Sequence, residues 1–217
     1  MSEARYTYEY PRPMLTVDSV VFGILGAHLH VLLVRRKNDP FADAWALPGG
    51  FVEMDEPLEE AAARELEEET GVGGIMLEQF HAFGDPGRDP RGRSVTVAYL
   101  ALIDAARFNL KPNDDASAVG WFPVMSLPEL AFDHAHIVDR AWDYLGIAIR
   151  HIGVGAQCLA EPFTLEALRD VYEAILAGPL NAAKFEAAVD SLKIIERVGE
   201  DEGAVWLRFV PGRVAAF

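Results

Sequence analysis

Residues 57–70, PLEEAAARELEEET, leave the chain the fewest choices. The segment has no glycine, few β-branched residues, a proline in its first turn and Gly71 at its end, which is how a helix with a marked start and stop is written. On such a helix Glu65, Glu68 and Glu69 stand at i, i+3 and i+4, so their carboxylates share one face. Like charges so placed repel. The face is either solvated or it holds a hard divalent cation, Mg2+ or Mn2+, which takes oxygen ligands.

The flanks narrow the choice. Arg64 lies within one helical turn of Glu60 and Glu68 and can also reach Glu56 in the preceding loop, so it can orient a carboxylate as well as neutralise it. Pro48-Gly49-Gly50 ends a strand just before that loop. Glycines there let backbone approach a metal or a phosphate, although an ordinary tight turn would read the same way. The loop from Gly50 to Pro57 is short enough to fold back over the helix N-terminus, where the dipole and free N–H groups favour anions.

Position by position, GFVEMDEPLEEAAARELEEETGV resembles the Nudix box: Gly, five residues, Glu, seven residues, Arg-Glu, an aliphatic, any residue, Glu-Glu, any residue, Gly, an aliphatic. Gly50, Glu56, Arg64, Glu65, Leu66, Glu68, Glu69, Gly71 and Val72 meet these positions, with no departure. The resemblance implies an α/β fold, the Nudix α/β/α sandwich with a mixed sheet, over roughly residues 10–150. It also implies metal-dependent hydrolysis of a nucleoside diphosphate joined to another group. By the same resemblance Glu65, Glu68, Glu69 and the Gly49 carbonyl hold Mg2+ or Mn2+, while Glu56 and Arg64 keep loop and helix in register. Glu56, Arg64, Glu65 and Glu69 form the expected catalytic set. The general base is a box glutamate or an acid from a distant loop, for which Asp115, beside Asp114, is the candidate; a polar turn is the other reading of that pair.

Short apolar segments at 15–25, 30–36, 45–47, 75–83, 95–103 and 118–122 read as strands, and 134 to about 149 as a helix. From Thr164 the pattern changes. Leu165, Leu168, Val171, Tyr172, Ile175 and Leu176 have helical spacing, and Gly178-Pro179-Leu180-Asn181 breaks the chain with Asn181 as an N-cap. Phe185, Ala188, Val189 and Leu192 give a second helix. The runs 194–198 and 204–210 flank a Gly-Glu-Asp-Glu-Gly turn, as a hairpin would. The expected layout is a domain over 1–152 followed by a small winged helix-turn-helix domain over 153–217.

Arg88, Arg91 and Arg93 lie in a Pro/Gly-rich loop and suit phosphate or ribose oxygens, unless they pair with Asp85 and Asp89 as a solvated loop. With TVDSVVF, WALPGGFVEMDE and LAFDHAHI, this loop is similar to the ADP-ribose pyrophosphatase-like branch of the Nudix family, which implies AMP and ribose 5-phosphate as products. Trp45, Phe83 and Phe132 are candidates either for stacking on adenine or for the core. The appended winged helix makes the layout similar to Nudix-related regulators of NAD metabolism, in which the Nudix-like domain senses ADP-ribose and the winged helix binds an operator as a homodimer.

Charge speaks against DNA. The chain carries a formal net charge of −15, and from residue 151 onward six Lys or Arg face ten Asp or Glu. The second helix offers mainly Lys184 and Lys193 among Glu186 and Asp190, and the wing carries Glu200-Asp201-Glu202. No apolar run reaches a membrane-spanning length and the first residues lack a signal-peptide pattern, so the expectation is no membrane and a cytoplasmic location. The lone Cys158 reads as a small apolar residue.

Overall fold

The computed structural model describes residues 8–112, 116–152, 158–193, 195–201 and 204–210. Its centre is β1 (Met14–Leu25), buried continuously from Thr16 to Gly23 because both faces are covered. Strand β6 (Ser94–Ile103) runs parallel to β1 in unbroken register from Met14 opposite Ser94 to Gly23 opposite Ile103. Strand β2 (His28–Arg36) returns antiparallel through a turn at Gly26, whose φ of 61° suits a residue without Cβ. Strand β5 (Glu78–Phe83) pairs with β6 beyond it, and β7 (Ala116–Pro123) with the outer edge of β2.

The β1–β2 hairpin is zipped only near its turn, from Phe22 opposite Val31 to Leu25 opposite His28. Past that point the strands part. The gap takes β3 (Trp45–Ala46) against β2 and β4 (Gly49–Phe51) against β1, which brings the Pro48-Gly49-Gly50 turn into the split.

Helix α1 (Leu58–Thr70) covers one face of the sheet, burying Ala61, Ala62 and Leu66 against Val17, Val21, Leu32 and Tyr99. It ends as the sequence implies, with Gly71 left-handed at φ 74° and its N–H on the Glu67 carbonyl. Helix α2 (His134–Ile152) covers the other face with Ile137, Val138, Ala141 and Leu145. The result is the expected α/β/α sandwich with a mixed sheet.

The C-terminal unit comprises β8 (Phe163–Thr164), α3 (Leu165–Leu176), α4 (Ala182–Leu192), β9 (Ile195–Asp201) and β10 (Ala204–Phe209), its sheet ordered β8-β10-β9. Thr164 caps α3 and Asn181 caps α4, each side-chain oxygen accepting a backbone N–H three residues on at 3.1 and 3.0 Å. Phe163, Leu168, Phe185, Val189 and Leu207 form its own core. Helix α3 has a second allegiance: Val171 and Ile175 are buried in the core shared with α2, and Trp142 Nε1 donates to the Ile175 carbonyl at 2.7 Å. Each such buried aliphatic side chain stabilises by roughly 1.5–3 kcal/mol, so the contact between the units is substantial.

Three details depart from expectation. Strand β8 was not foreseen, because two residues carry no periodicity. The strand expected at 75–83 begins only at Glu78. Strand β9 continues through Gly199 to Asp201, so the hairpin turn is tighter than a five-residue loop. Among the described residues no helix is long and apolar enough to cross a membrane.

Candidate functional site

The split between β1 and β2 opens into a cavity of about 400 Å³ whose lining includes Asp18, Arg36, Gly49, Phe51, Glu65, Glu69, Arg91 and Phe132. One wall is the acidic edge of α1. Because Ala62, Leu66 and Thr70 bury one stripe of the helix, Glu65 and Glu69 fall on the adjoining stripe beside β4. Glu69 Oε2 accepts the Gly49 N–H at 3.0 Å. Burial first, then the neighbouring Glu65 and Asp18, push the Glu69 carboxyl up to about 8. Burial also raises Glu65, against the pull of Arg64.

Arg64 is the hub of the loop. Its Nε and Nη2 grip both oxygens of Glu56 at 3.0 and 2.7 Å, its Nη1 reaches Glu65 at 2.8 Å and Glu68 at 3.3 Å, and Nη2 also donates to the Phe51 carbonyl at 3.3 Å. Glu60, another partner the sequence allowed, has no hydrogen bond or ion pair to Arg64. The Arg64 hydrogen bonds, aided by the Glu53 N–H, hold Glu56 down at about 2. In return Glu56 keeps the guanidinium charged at any ordinary pH. Gly49 is needed for space, because a Cβ there would strike the Val17 carbonyl, whereas one on Gly50 would push the Glu65 carboxylate out of its place.

The pocket floor is a buried polar network that the sequence did not disclose. His134 Nδ1 accepts the Leu47 N–H at 2.9 Å, which assigns the proton of the neutral ring to Nε2, and Nε2 faces Asp18 Oδ1 at 3.5 Å. Burial holds His134 below its usual pKa. Arg88 lies beneath them with its side chain 4% exposed, bound through Nε and Nη2 to Asp133 at 2.9 and 2.7 Å and close to Asp18 at 3.5 Å. Burial works against its charge, but these carboxylates outweigh it and the pKa rises.

The three arginines of the 84–94 loop therefore part company. Arg88 lines the floor but is committed to Asp133 and Asp18, so it braces the pocket. Arg91 stands at the mouth, clasped by Asp89 at 2.8–3.2 Å. Arg93 is exposed, outside the cavity lining, and donates to the Ser94 carbonyl at 3.0 Å. Trp45 packs on Phe122 with centroids 4.5 Å apart and Phe83 is buried, so of the three aromatic candidates only Phe132 lines the cavity. Asp114 and Asp115 lie outside the described residues. Sequence reasoning missed Asp18, Arg36, Phe51 and His134. Arg36 lines the wall opposite α1, its pKa lowered by burial and by the facing Arg91, so the two cations are drawn together where an anion would fit.

A model of the NUDIX domain matches residues 14–141. The chain belongs to the Nudix family. A model of the NrtR DNA-binding winged helix domain matches residues 155–205, so this Nudix protein carries an NrtR-type C-terminal unit. It is 35% identical over 198 residues to the ADPR responsive transcriptional repressor NtrR of Acinetobacter baylyi, covering 89% of this chain and 79% of that one. It is 40% identical over 136 residues to the ADP-ribose pyrophosphatase of Methanocaldococcus jannaschii, covering 63% and 75%. The crystal structure of Shewanella oneidensis NrtR complexed with a 27mer DNA superposes with a TM-score of 0.74 at 34% identity, covering 92% of this Nudix chain and 94% of that one.

Among the described residues no three acidic, histidine or cysteine side chains are gathered into a ready metal cage. In this Nudix site Glu69 is turned to the Gly49 amide, and Glu65 and Glu68 to Arg64. The donor chemistry nonetheless fits a hard divalent cation, since the side chains on offer are carboxylates and burial raises two of them, with Glu65 adding to the rise of Glu69 and Glu68 to that of Glu65. A cation would remove that penalty.

Proposed function

We propose that this Nudix chain hydrolyses the pyrophosphate link of ADP-ribose, releasing AMP and ribose 5-phosphate, with Mg2+ or Mn2+ held by Glu65, Glu68, Glu69 and the Gly49 carbonyl. The observation that carries this reading is Glu69, a carboxyl raised to about 8 beside Glu65, in a cavity whose opposite wall offers Arg36 and Arg91. The identity to an ADP-ribose pyrophosphatase supports the choice of substrate.

When bound, the cation supplies charge to the pyrophosphate oxygens and acidifies a water. The chain's own residues do the rest. Arg64 orients Glu65 and Glu68, and the Gly49 N–H orients Glu69. Arg36 and Arg91 draw the anionic substrate against the acidic wall, and the Asp18–His134–Arg88–Asp133 network fixes the floor. A carboxylate can take a proton from the attacking water, a role open to Glu65, Glu69 or Asp115. The test is AMP release from ADP-ribose with Mg2+ in wild type and in Glu69→Gln. No turnover of ADP-ribose, NADH, CDP-alcohols or nucleotide sugars would sink the hydrolase reading.

The second reading is a regulator that senses ADP-ribose in the same pocket and binds DNA, as a homodimer, through a unit beginning near residue 153. The match of residues 155–205 to the NrtR winged helix favours it. The exposed Glu186 and Asp190 on α4 oppose it. Tight, salt-sensitive operator binding that ADP-ribose weakens would decide for the regulator.

A further inference from the structure

A second cavity, of about 350 Å³, lies where the first unit meets α3. The spacing of the helix dictates one wall. Val171 and Ile175 turn into the shared core, so the adjoining stripe at i, i+3, i+4 and i+7 presents Asp170, Glu173, Ala174 and Ala177 to the cavity. The facing wall comes from the first unit and is apolar: Leu29 on β2 and Val124 after β7 are buried, Trp142 of α2 is half-buried, and Met125 is 73% exposed. The bond from Trp142 Nε1 to the Ile175 carbonyl fixes the indole in that wall. No lining residue is shared with the pocket between β1 and β2.

The charge of this cavity is one-sided. No lysine or arginine lines it, and its single basic group is the ring of His28, exposed at the start of β2. Glu173 is committed, its Oε1 accepting the Leu180 N–H at 2.8 Å with Arg169 Nε 3.5 Å away. Asp170 is exposed, and among the described residues no hydrogen bond or ion pair engages it. Helix α3 also ends here, at the left-handed Ala177, with no basic residue in its last turn to answer the negative end of the dipole. An unengaged carboxylate, a helix C-terminus and an indole among apolar side chains suit a cation with an apolar body. We infer that this cavity binds a small organic ammonium ion, its charge against Asp170 and the end of α3 and its apolar part against Leu29, Val124 and Trp142. Sites between domains are favoured places for small ligands. One held here touches both units and so clamps α3 to the first.

The experiment is an NMR titration of the full chain, labelled at its methionine methyls, with phenethylammonium and with 2-phenylethanol and phenylacetate as neutral and anionic counterparts of like size. Met125 lines this cavity while Met54 and Met76 do not, so the Met125 methyl should shift on binding and the other two should stay in place. The ammonium should bind about tenfold more tightly than the alcohol, and the carboxylate most weakly. Saturation with the ammonium should raise the melting temperature, because the ligand joins two units that part on unfolding. Asp170→Asn should bring the ammonium to within about twofold of the alcohol, and Asp170→Glu should keep most of the preference. Position 170 is exposed, so both variants spare the core. A Met125 methyl that does not move, equal binding of ammonium and alcohol, an unchanged melting temperature, or a preference that survives Asp170→Asn overturns the site.

Discussion

Helices α1 and α4 both carry an acidic face, and their surroundings make them different objects. On α1, Glu65 and Glu69 are drawn under the lip of a pocket, where burial raises their pKa and Arg64 and the Gly49 amide fix their directions. On α4, Glu186 and Asp190 lie exposed beside a cavity of about 440 Å³ that Glu166 and Glu196 also line, with Arg197 among the described residues there. Acidic composition alone does not distinguish a cation site from a solvated face. Burial and directed partners do, since desolvation turns repulsion between carboxylates into demand for a counter-charge.

The widest test of that contrast is Glu69→Gln. The amide can still accept the Gly49 N–H, so the fold should hold, while kcat for ADP-ribose falls by about 10²–10³. Glu186→Gln on α4 should leave hydrolysis unchanged, and matching losses from both would erase the distinction. Next in size, Arg64→Ala releases Glu56, Glu65 and Glu68 together and should lower kcat/KM by roughly 10–100-fold, with a lower melting temperature that Arg64→Lys does not restore, because an ammonium cannot span the fork.

Proton linkage sharpens the comparison further. The folded pKa of Glu69 lies above its unfolded value, so its contribution to stability is complete below about pH 4.5 and is lost as pH rises through about 8. Glu56 has the opposite sign: its contribution is present above about 4.5 and lost as pH falls toward 2. Metal-free protein should therefore melt at lower temperature at pH 8.5 than at pH 6, Mg2+ should recover the difference, and Glu69→Gln should flatten the profile. A metal-free profile with no decline over that range would argue against the buried carboxylate.

The smallest effect concerns DNA. If α4 faces phosphates, converting Glu186 and Asp190 to lysine should tighten binding and steepen the slope of log K against log salt by about 1 per lysine. An unchanged slope would mean that this face never meets DNA.

The α1 site was legible because its parts lie within one helix and the adjoining loop, where spacing alone dictates geometry: Arg64 finds Glu56 and Glu68 much as the register allows. The floor was not. Asp18, Arg88, Asp133 and His134 come from a strand, a loop and the approach to a helix far apart in sequence, and only the sheet register brings them together. Phe51 was hidden by the box around it, and Trp45 and Phe83 drew attention because an aromatic residue does not declare which face of a strand it occupies. The caps at Thr164 and Asn181 depend on residue type at a break, and Asn181 was readable for that reason.

Helix α3 adds a consequence about modularity. With Leu168 in one core and Val171 and Ile175 in the other, it is common property of both units. A fragment ending at Ile152 would bare the patch that Val171 and Ile175 cover and leave the Trp142 N–H without its carbonyl. The link between α2 and α3 is thus not a neutral point of division: a cut there exposes part of the core that the first unit shares with α3 and should lower its melting temperature.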